Sequence, residues 1–342
     1  MPAQYTHQIL AERILGALPE NVREKITDQT AYFIGAQGGD VFYFLRVFDG
    51  KTENLGKYMH NEEISSFFNS LCARASEGGT ALSYALGYVT HYAVDIVFHP
   101  YVYGQTEFFI GQHPSRRVRW HAYIESDIDS YFVQKHLGIP VNQYVYPVRK
   151  KELDARALYA LIRGVCHDRG RKNFSYPSFL RSLSRFYLFE RLFRDRKLRK
   201  RKFLNAAENL FRASHTLSVL CRRTDFDGQC LNTEHREWHN PSEPAFLSRE
   251  DADLLFERAA AEGVRLVSEF FICMQAGAEL PASDFGKGFL SGIDEHIPLV
   301  RPKRPQNGKK KRQADHFVAA DSETQKKIIV MQPCICLNCA VY

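Results

Sequence analysis

Along most of this chain apolar residues recur at three- and four-residue intervals, the period of an amphipathic helix, while the two-residue alternation of a half-buried strand is scarce. The expected fold is all-α. Residues 5–18 set His7, Leu10, Ile14 and Leu18 on one stripe, and residues 57–75 do the same with His60, Ile64, Phe67 and Leu71. In both, a histidine continues the inward apolar face. From about Thr80 to His99 the chain is apolar on nearly every side, the pattern of a central buried helix. Pro100 is expected to end it, because the residue before a proline is pushed out of the α region. The next helix is expected from Ser115, a serine N-cap after Pro114, to Leu137, with Gly138 as its stop and an inward stripe of His121, Glu125, Ile128 and Phe132. Later helices are expected over 151–167, 177–193, 198–222 and 248–275, with loops at 138–149, 223–247 and 276–300. These should wrap the same core, giving one helical domain over 1–301. From Pro302 the chain turns polar, basic and turn-rich (Lys303, Arg304, Lys309, Lys310, Lys311, Arg312), so 302–342 reads as a disordered tail.

Composition narrows the class without naming a function. With 342 residues, 44% hydrophobic and 25% charged, most of the chain can bury a core. A net charge of +7 favours anionic partners but does not separate a phospholipid surface from nucleic acid. The first twenty residues lack a basic segment followed by an unbroken apolar run, so no signal peptide is expected. The eight cysteines then read as reduced thiols in a cytoplasmic protein. Thr80–His99 approaches membrane-spanning length, but His91 and Asp95 in its interior argue against a span. The run Arg194–Lys202 can dock on an anionic membrane or form a solvated helix face. No protein partner is evident.

The chemistry lies in the spacing of imidazoles and carboxylates. His91, Asp95 and His99 follow one another at four-residue intervals, and so do His121 and Glu125, which on a helix stacks each pair on one face. A lone histidine on an apolar face is ordinarily a satisfied core residue. Burying a carboxylate such as Asp95 without a partner, however, costs several kcal/mol or forces it to protonate, and a cation removes that penalty. Inward stripes on different helices all end in ligand-type side chains. A donor set of nitrogen and oxygen without thiolate suits zinc or a similar first-row metal used for hydrolysis. Asp40 follows Gly38 and Gly39 in a stretch with no Gly-Lys-Ser/Thr ending, which excludes a P-loop. The glycines let the backbone approach something closely. Alone, Asp40 would be a helix N-cap; beside the histidines it is a ligand candidate.

Taken in order, Thr6-His7, Gly39-Asp40, Met59-His60, His91-x3-Asp95-x3-His99 and His121-x3-Glu125 resemble the zinc-dependent phospholipase C family, whose fold is shared with single-strand nucleases. The resemblance implies an all-α fold with a tri-metal cleft and two or three Zn2+ per chain. Asp40, His60, His91 and Asp95 would hold one ion, and His99, His121 and Glu125 a second. His7 and a bridging Asp95 would hold a third. Secreted members complete that third site with an amino-terminal tryptophan, for which the imino group of Pro2 offers a substitute here. Asp40 and Glu125 would also orient the attacking water. The implied reaction is phosphodiester hydrolysis, most directly of a phospholipid to diacylglycerol and a phosphorylated headgroup. Val41 and Lys57 stand where choline-specific members carry aromatic side chains, so choline specificity is not implied. The competing readings are a single-strand nuclease or nucleotide phosphohydrolase on the same cluster, and a metal-bound but non-catalytic membrane-associated protein.

Three further signals read as structural. His167-Asp168 resembles a phosphohydrolase dyad but falls at a helix end beside Arg169-Gly170. Asn232, His235, Trp238 and His239 form a polar-aromatic loop. Cys334, Cys336 and Cys339 offer three thiols without a fourth ligand.

Overall fold

The computed structural model describes residues 4–45, 55–61, 63–170 and 174–303. The expected tail, Pro2 and the Cys334–Cys339 cluster therefore lie outside the described residues, apart from Pro302 and Lys303. The helices are α1 (Gln4–Ala17), α2 (Glu20–Arg23), α3 (Gln29–Gly35), α4 (Leu55–Asn61), α5 (Ile64–Ala75), α6 (Gly79–Gln112), α7 (Trp120–Leu137), α8 (Ala155–Asp168), α9 (Tyr176–Phe193), α10 (Lys200–Leu210), α11 (Ala252–Ala276) and α12 (Ala282–Phe285). A 3-10 segment, Gly38–Leu45, follows α3. The sheet among the described residues is one antiparallel hairpin, β1 (Trp238–Asn240) with β2 (Glu243–Ser248), in which Trp238 faces Ser248 and His239 faces Leu247. The fold is all-α as expected.

The axis of the molecule is α6, buried almost continuously from Ala81 to Thr106, with α3 and α11 packed along it. It does not stop at Pro100. A proline inside a helix costs about 3 kcal/mol, but Tyr101, Val102 and Phe109 beyond it are all buried. Each such side chain recovers about 1.5–3 kcal/mol, and the Tyr101 hydroxyl also donates to the Cys230 carbonyl at 2.8 Å. Tertiary burial thus outweighs the local rule. The crossing of α3 on α6 is set by two glycines. A β-carbon at Gly35 would lie 2.3 Å from the Tyr84 carbonyl oxygen, and one at Gly87 2.0 Å from that of Tyr32. The two backbones touch there, and the chain leaving α3 arrives beside the middle of α6.

Three other boundaries depart from expectation. The single helix over 57–75 is two, α4 and α5. The restart is built by the Glu295 carboxylate, which accepts from the backbone N–H groups of Ile64 at 2.5 Å and Ser65 at 3.0 Å. Ser115 does not cap α7; residues 117–119 instead pair with His215, whose N–H donates to the Arg117 carbonyl and whose carbonyl accepts from Arg119. The helix expected over 198–222 ends at Leu210, where Arg212 takes a left-handed φ of 50° and turns the chain back. The loop expected at 223–247 holds β1 and the start of β2, and that at 276–300 holds α12.

The start of α1 is fixed from a distance. Asp129 of α7 is buried and accepts from the backbone N–H groups of Tyr5 (3.3 Å) and Thr6 (2.8 Å), from the Thr6 hydroxyl (2.7 Å) and from the Arg222 guanidinium (2.7 Å). One carboxylate thereby caps α1, sets the first turn that carries His7, and neutralises a buried cation. Asp129→Ala leaves Arg222 charged and α1 uncapped. It should destabilise the fold by about 3–5 kcal/mol, read from the urea midpoint at constant slope. A loss below about 1 kcal/mol would contradict this role.

Candidate metal centre

Five separate parts of the chain deliver ligand-type side chains to one place. The first turn of α1 brings His7, the 3-10 segment brings Asp40, and α4 brings His60. The middle of α6 carries His91, Asp95 and His99, and the first two turns of α7 carry His121 and Glu125. The approach of the 3-10 segment depends on Gly38 and Gly39. A β-carbon at Gly38 would fall 1.9 Å from the His91 ring, and one at Gly39 2.6 Å from the His60 ring. The close approach anticipated for these glycines is thus onto two of the imidazoles themselves.

Asp95 is the hub. Its Oδ1 lies 3.2 Å from His7 Nε2 and 3.4 Å from His99 Nδ1; its Oδ2 lies 3.2 Å from His91 Nε2 and 3.7 Å from His60 Nε2. His60 Nε2 is also 3.5 Å from Asp40 Oδ1 and 3.2 Å from His91 Nε2. On the other side, Glu125 Oε1 lies 3.2 Å from His121 Nε2 and 3.7 Å from His99 Nε2. The donor atoms fall into three groups compact enough to hold an ion each: His7, His91 and Asp95; Asp40, His60 and His91; His99, His121 and Glu125. The first two share His91, where the sequence reading had joined Asp95 to Asp40 and His60.

This arrangement fits a cation. Asp95 Oδ2 is buried and accepts no hydrogen bond among the described residues, although two imidazole nitrogens face it. A cavity of about 10 Å³, bounded by His7, Asp95, His99 and Glu125, lies between the groups. Two rings are oriented from behind. His60 Nδ1 donates to the Gly56 carbonyl at 2.6 Å, and His99 Nδ1 to the Phe289 carbonyl at 3.0 Å, which leaves each Nε2 as the lone-pair atom turned to the cluster. The donors are nitrogen and oxygen only, as zinc in a hydrolytic site takes.

The electrostatics point the same way. Burial pushes the His91 imidazole down to about 3 against the pull of Asp95, so it is neutral at pH 7, as a ligand must be. Burial alone would raise the Asp95 carboxyl, but the imidazoles of His91, His99 and His7 hold it well below the usual carboxylate range. Glu125 is likewise depressed, with His121 the leading cause opposing its burial. Burial also works against a charge on His99, yet the Asp95 and Glu125 carboxylates beside it outweigh that and push it up to about 9. In the absence of a cation the cluster retains a proton there.

Sequence reasoning missed the outer layer. Phe289, from the loop after α12, packs its ring edge-on against His60 and tilted against His91, at 5.1 and 5.8 Å between centroids, while its carbonyl fixes His99. Tyr43 lies 5.4 Å from the His60 ring. No local pattern marks Phe289, since its place is set by contacts distant in sequence, among them the Tyr92 hydroxyl and Asn240 amide that bind the neighbouring backbone at Asp284, Lys287 and Ser291. The other signals resolve as structural. Asp168 pairs with Arg74 at 2.6 Å, and Asn232 and Trp238 bond to nearby carbonyls of their own loop. In the Arg194–Lys202 run, Asp195 is buried as a cap, and Lys200 and Arg201 donate to backbone carbonyls. Arg196, Lys197, Arg199 and Lys202 stay exposed. No helix of the described residues is long and apolar enough to cross a membrane.

The family model described as zinc dependent phospholipase C matches residues 6–175, a span that ends just before α9 and holds all eight cluster residues. Among curated proteins and solved structures nothing matches.

If backbone proximity at Gly39 seats His60, then Gly39→Ala should lower the metal content of the purified protein by elemental analysis. Gly16→Ala, on α1 where a β-carbon meets nothing within 4 Å, should leave it unchanged. Equal metal content in the two variants would contradict the packing argument.

Proposed function

We propose, from the match of residues 6–175 to the zinc-dependent phospholipase C family, that the Asp95 cluster is the active site of a phosphodiesterase acting on phospholipids. The observation that carries the reading is the convergence of four imidazoles, His7, His60, His91 and His99, on the two oxygens of one buried carboxylate. Two or three zinc ions would be held by the three groups described above. Zinc bound there supplies Lewis acidity, making water nucleophilic near neutral pH and offsetting the charge that develops on a phosphoryl group.

The chain's own residues divide the remaining work. Neutral His91 and the depressed carboxyls of Asp95 and Glu125 are themselves in the ligating protonation state at pH 7, and the proton held at His99 would leave as a cation binds. Asp40 is the more exposed of the two water-orienting candidates, with 18% of its side chain reached by solvent against 4% for Glu125. It is therefore the better placed to accept a proton from an incoming water, while Glu125 is held by His121 and His99. His121, about a third exposed at 32%, opens the cluster to solvent on the α7 side. That exposure supports a catalytic centre over a sealed structural one. Tyr103 is buried against His121, with ring centroids 4.9 Å apart, rather than presented as a stacking platform for bases. This favours a phospholipid over single-stranded nucleic acid.

With zinc restored, the protein should turn over phosphatidylcholine or another phospholipid and a soluble phosphodiester faster than single-stranded DNA. Asp95→Asn and His121→Ala should each reduce that turnover more than about a hundredfold, since even groups one step removed from metal ligands are worth about 10–100-fold. Each should also lower the zinc content. Full turnover in Asp95→Asn would sink the assignment, and a preference for DNA would move it to a nuclease.

A further inference from the structure

On the outer side of α7 lies a second concavity that none of the eight cluster residues lines. It is a cavity of about 760 Å³ between the segment 115–118, the first turn of α7, α10 and the returning chain at 212–219. Four guanidinium-bearing residues line it, Arg116, Arg117, Arg201 and Arg212, together with His215. No carboxylate of the described residues lies within ion-pair distance of any of the four. The one acid in the lining, Glu208, is already engaged: it accepts from the backbone N–H groups of Thr216, Leu217 and Ser218 and lies 3.6 Å from His215 Nδ1. Other surface arginines do have carboxylate partners, as Arg258 has Glu250 and Arg265 has Glu262. Several guanidiniums facing one concavity concentrate positive charge there, which attracts an anion.

The walls are held rather than loose. Arg117 Nη1 donates to the Arg212 carbonyl at 2.8 Å, and Arg201 Nη1 donates to the Cys221 carbonyl at 2.7 Å. The chain turns at Arg212 through its left-handed backbone, and the Glu208 carboxylate clamps the segment beyond it. Tyr123, against whose ring both Arg201 and Arg223 lie, supplies an aromatic surface in the cavity. Asn205 and Asn209 add neutral hydrogen-bonding groups suited to hydroxyls.

We propose that this cavity binds a phosphomonoester, its dianionic phosphate on the guanidiniums and its polyol portion toward Asn205 and Asn209. The concavity is open to solvent, and its limited volume and four lining guanidiniums match one compact anion. The phosphomonoester can be free in solution or the headgroup of a bilayer lipid. The bilayer source is suggested by α10 itself, whose buried residue is Glu208 while Phe203, Leu210 and Phe211 are more than 70% exposed. The proposal goes beyond the hydrolytic reading and does not rest on it.

The test uses the full, zinc-loaded chain and the variant Arg116→Gln/Arg212→Asn, asparagine being chosen because it tolerates the left-handed backbone. Glycerol 3-phosphate is titrated calorimetrically, and the protein is sedimented with phosphatidylcholine vesicles with and without phosphatidic acid. We expect saturable binding of glycerol 3-phosphate that weakens at least tenfold in the variant at unchanged melting temperature. The metal cluster is intact in both proteins, so anion held there persists in the variant and does not count. Sedimentation that requires phosphatidic acid and is lost in the variant identifies the bilayer source; soluble binding without sedimentation identifies the free one. The proposal is overturned if neither probe binds, if the variant binds both as well as the parent, or if Lys197→Gln/Lys202→Gln, outside the cavity, weakens binding equally. Should the double variant not fold, Arg116→Gln alone replaces it with the same criteria.

Discussion

A carboxylate at the midpoint of the most buried helix constrains everything around it. Asp95 is buried, and among the described residues no lysine or arginine pairs with it; what surrounds its two oxygens is four imidazoles. Such a group is tolerable only if those rings are held close and if positive charge is available to the set. Much of the architecture answers that demand. The glycine-to-glycine crossing of α3 on α6 delivers the 3-10 segment at the correct height, the Asp129 cap fixes the turn that presents His7, and α7 lies alongside α6 so that its own imidazole–carboxylate pair meets His99.

The inner layer of the centre was legible in the sequence because helical periodicity converts spacing into facing. His91, Asp95 and His99 must share a face if α6 is helical, and so must His121 and Glu125, whatever the rest of the chain does. The stripes ending in His7 and His60 were visible for the same reason, and Gly38-Gly39 announced a close approach without saying onto what. The all-α class followed from the same period. What was not legible is whatever depends on contacts distant in sequence. Pro100 obeys its local rule only until burial of Tyr101, Val102 and Phe109 outweighs it. The break before α5 is set by Glu295, more than two hundred residues away, and the stop of α10 by Arg212 and the Glu208 clamp.

The pairing of donors shows the same limit. Spacing along α6 could not tell whether His91 would side with His7 or with His60, because that choice lies in how α1 and the 3-10 segment pack on the two flanks of one helix. The structure sets His91 between them. Its Nε2 lies close to Asp95 and to His60, and its ring is backed by the Gly38 main chain rather than by a hydrogen bond. Asp127 and Asp129 were passed over for a similar reason. On α7 they look like ordinary surface acids until Arg222 and Arg223 arrive from the far end of the chain.

The loop that carries Phe289 has a wider meaning. It sits well past residue 175, yet it supplies both a ring against two ligands and the carbonyl that decides which nitrogen of His99 bears hydrogen. The half of the chain that owns every donor atom therefore does not own the tautomer of one of them. Change in the carboxyl-terminal half can retune the chemistry of the centre without altering a single donor, so two chains with identical donor sets need not share reactivity.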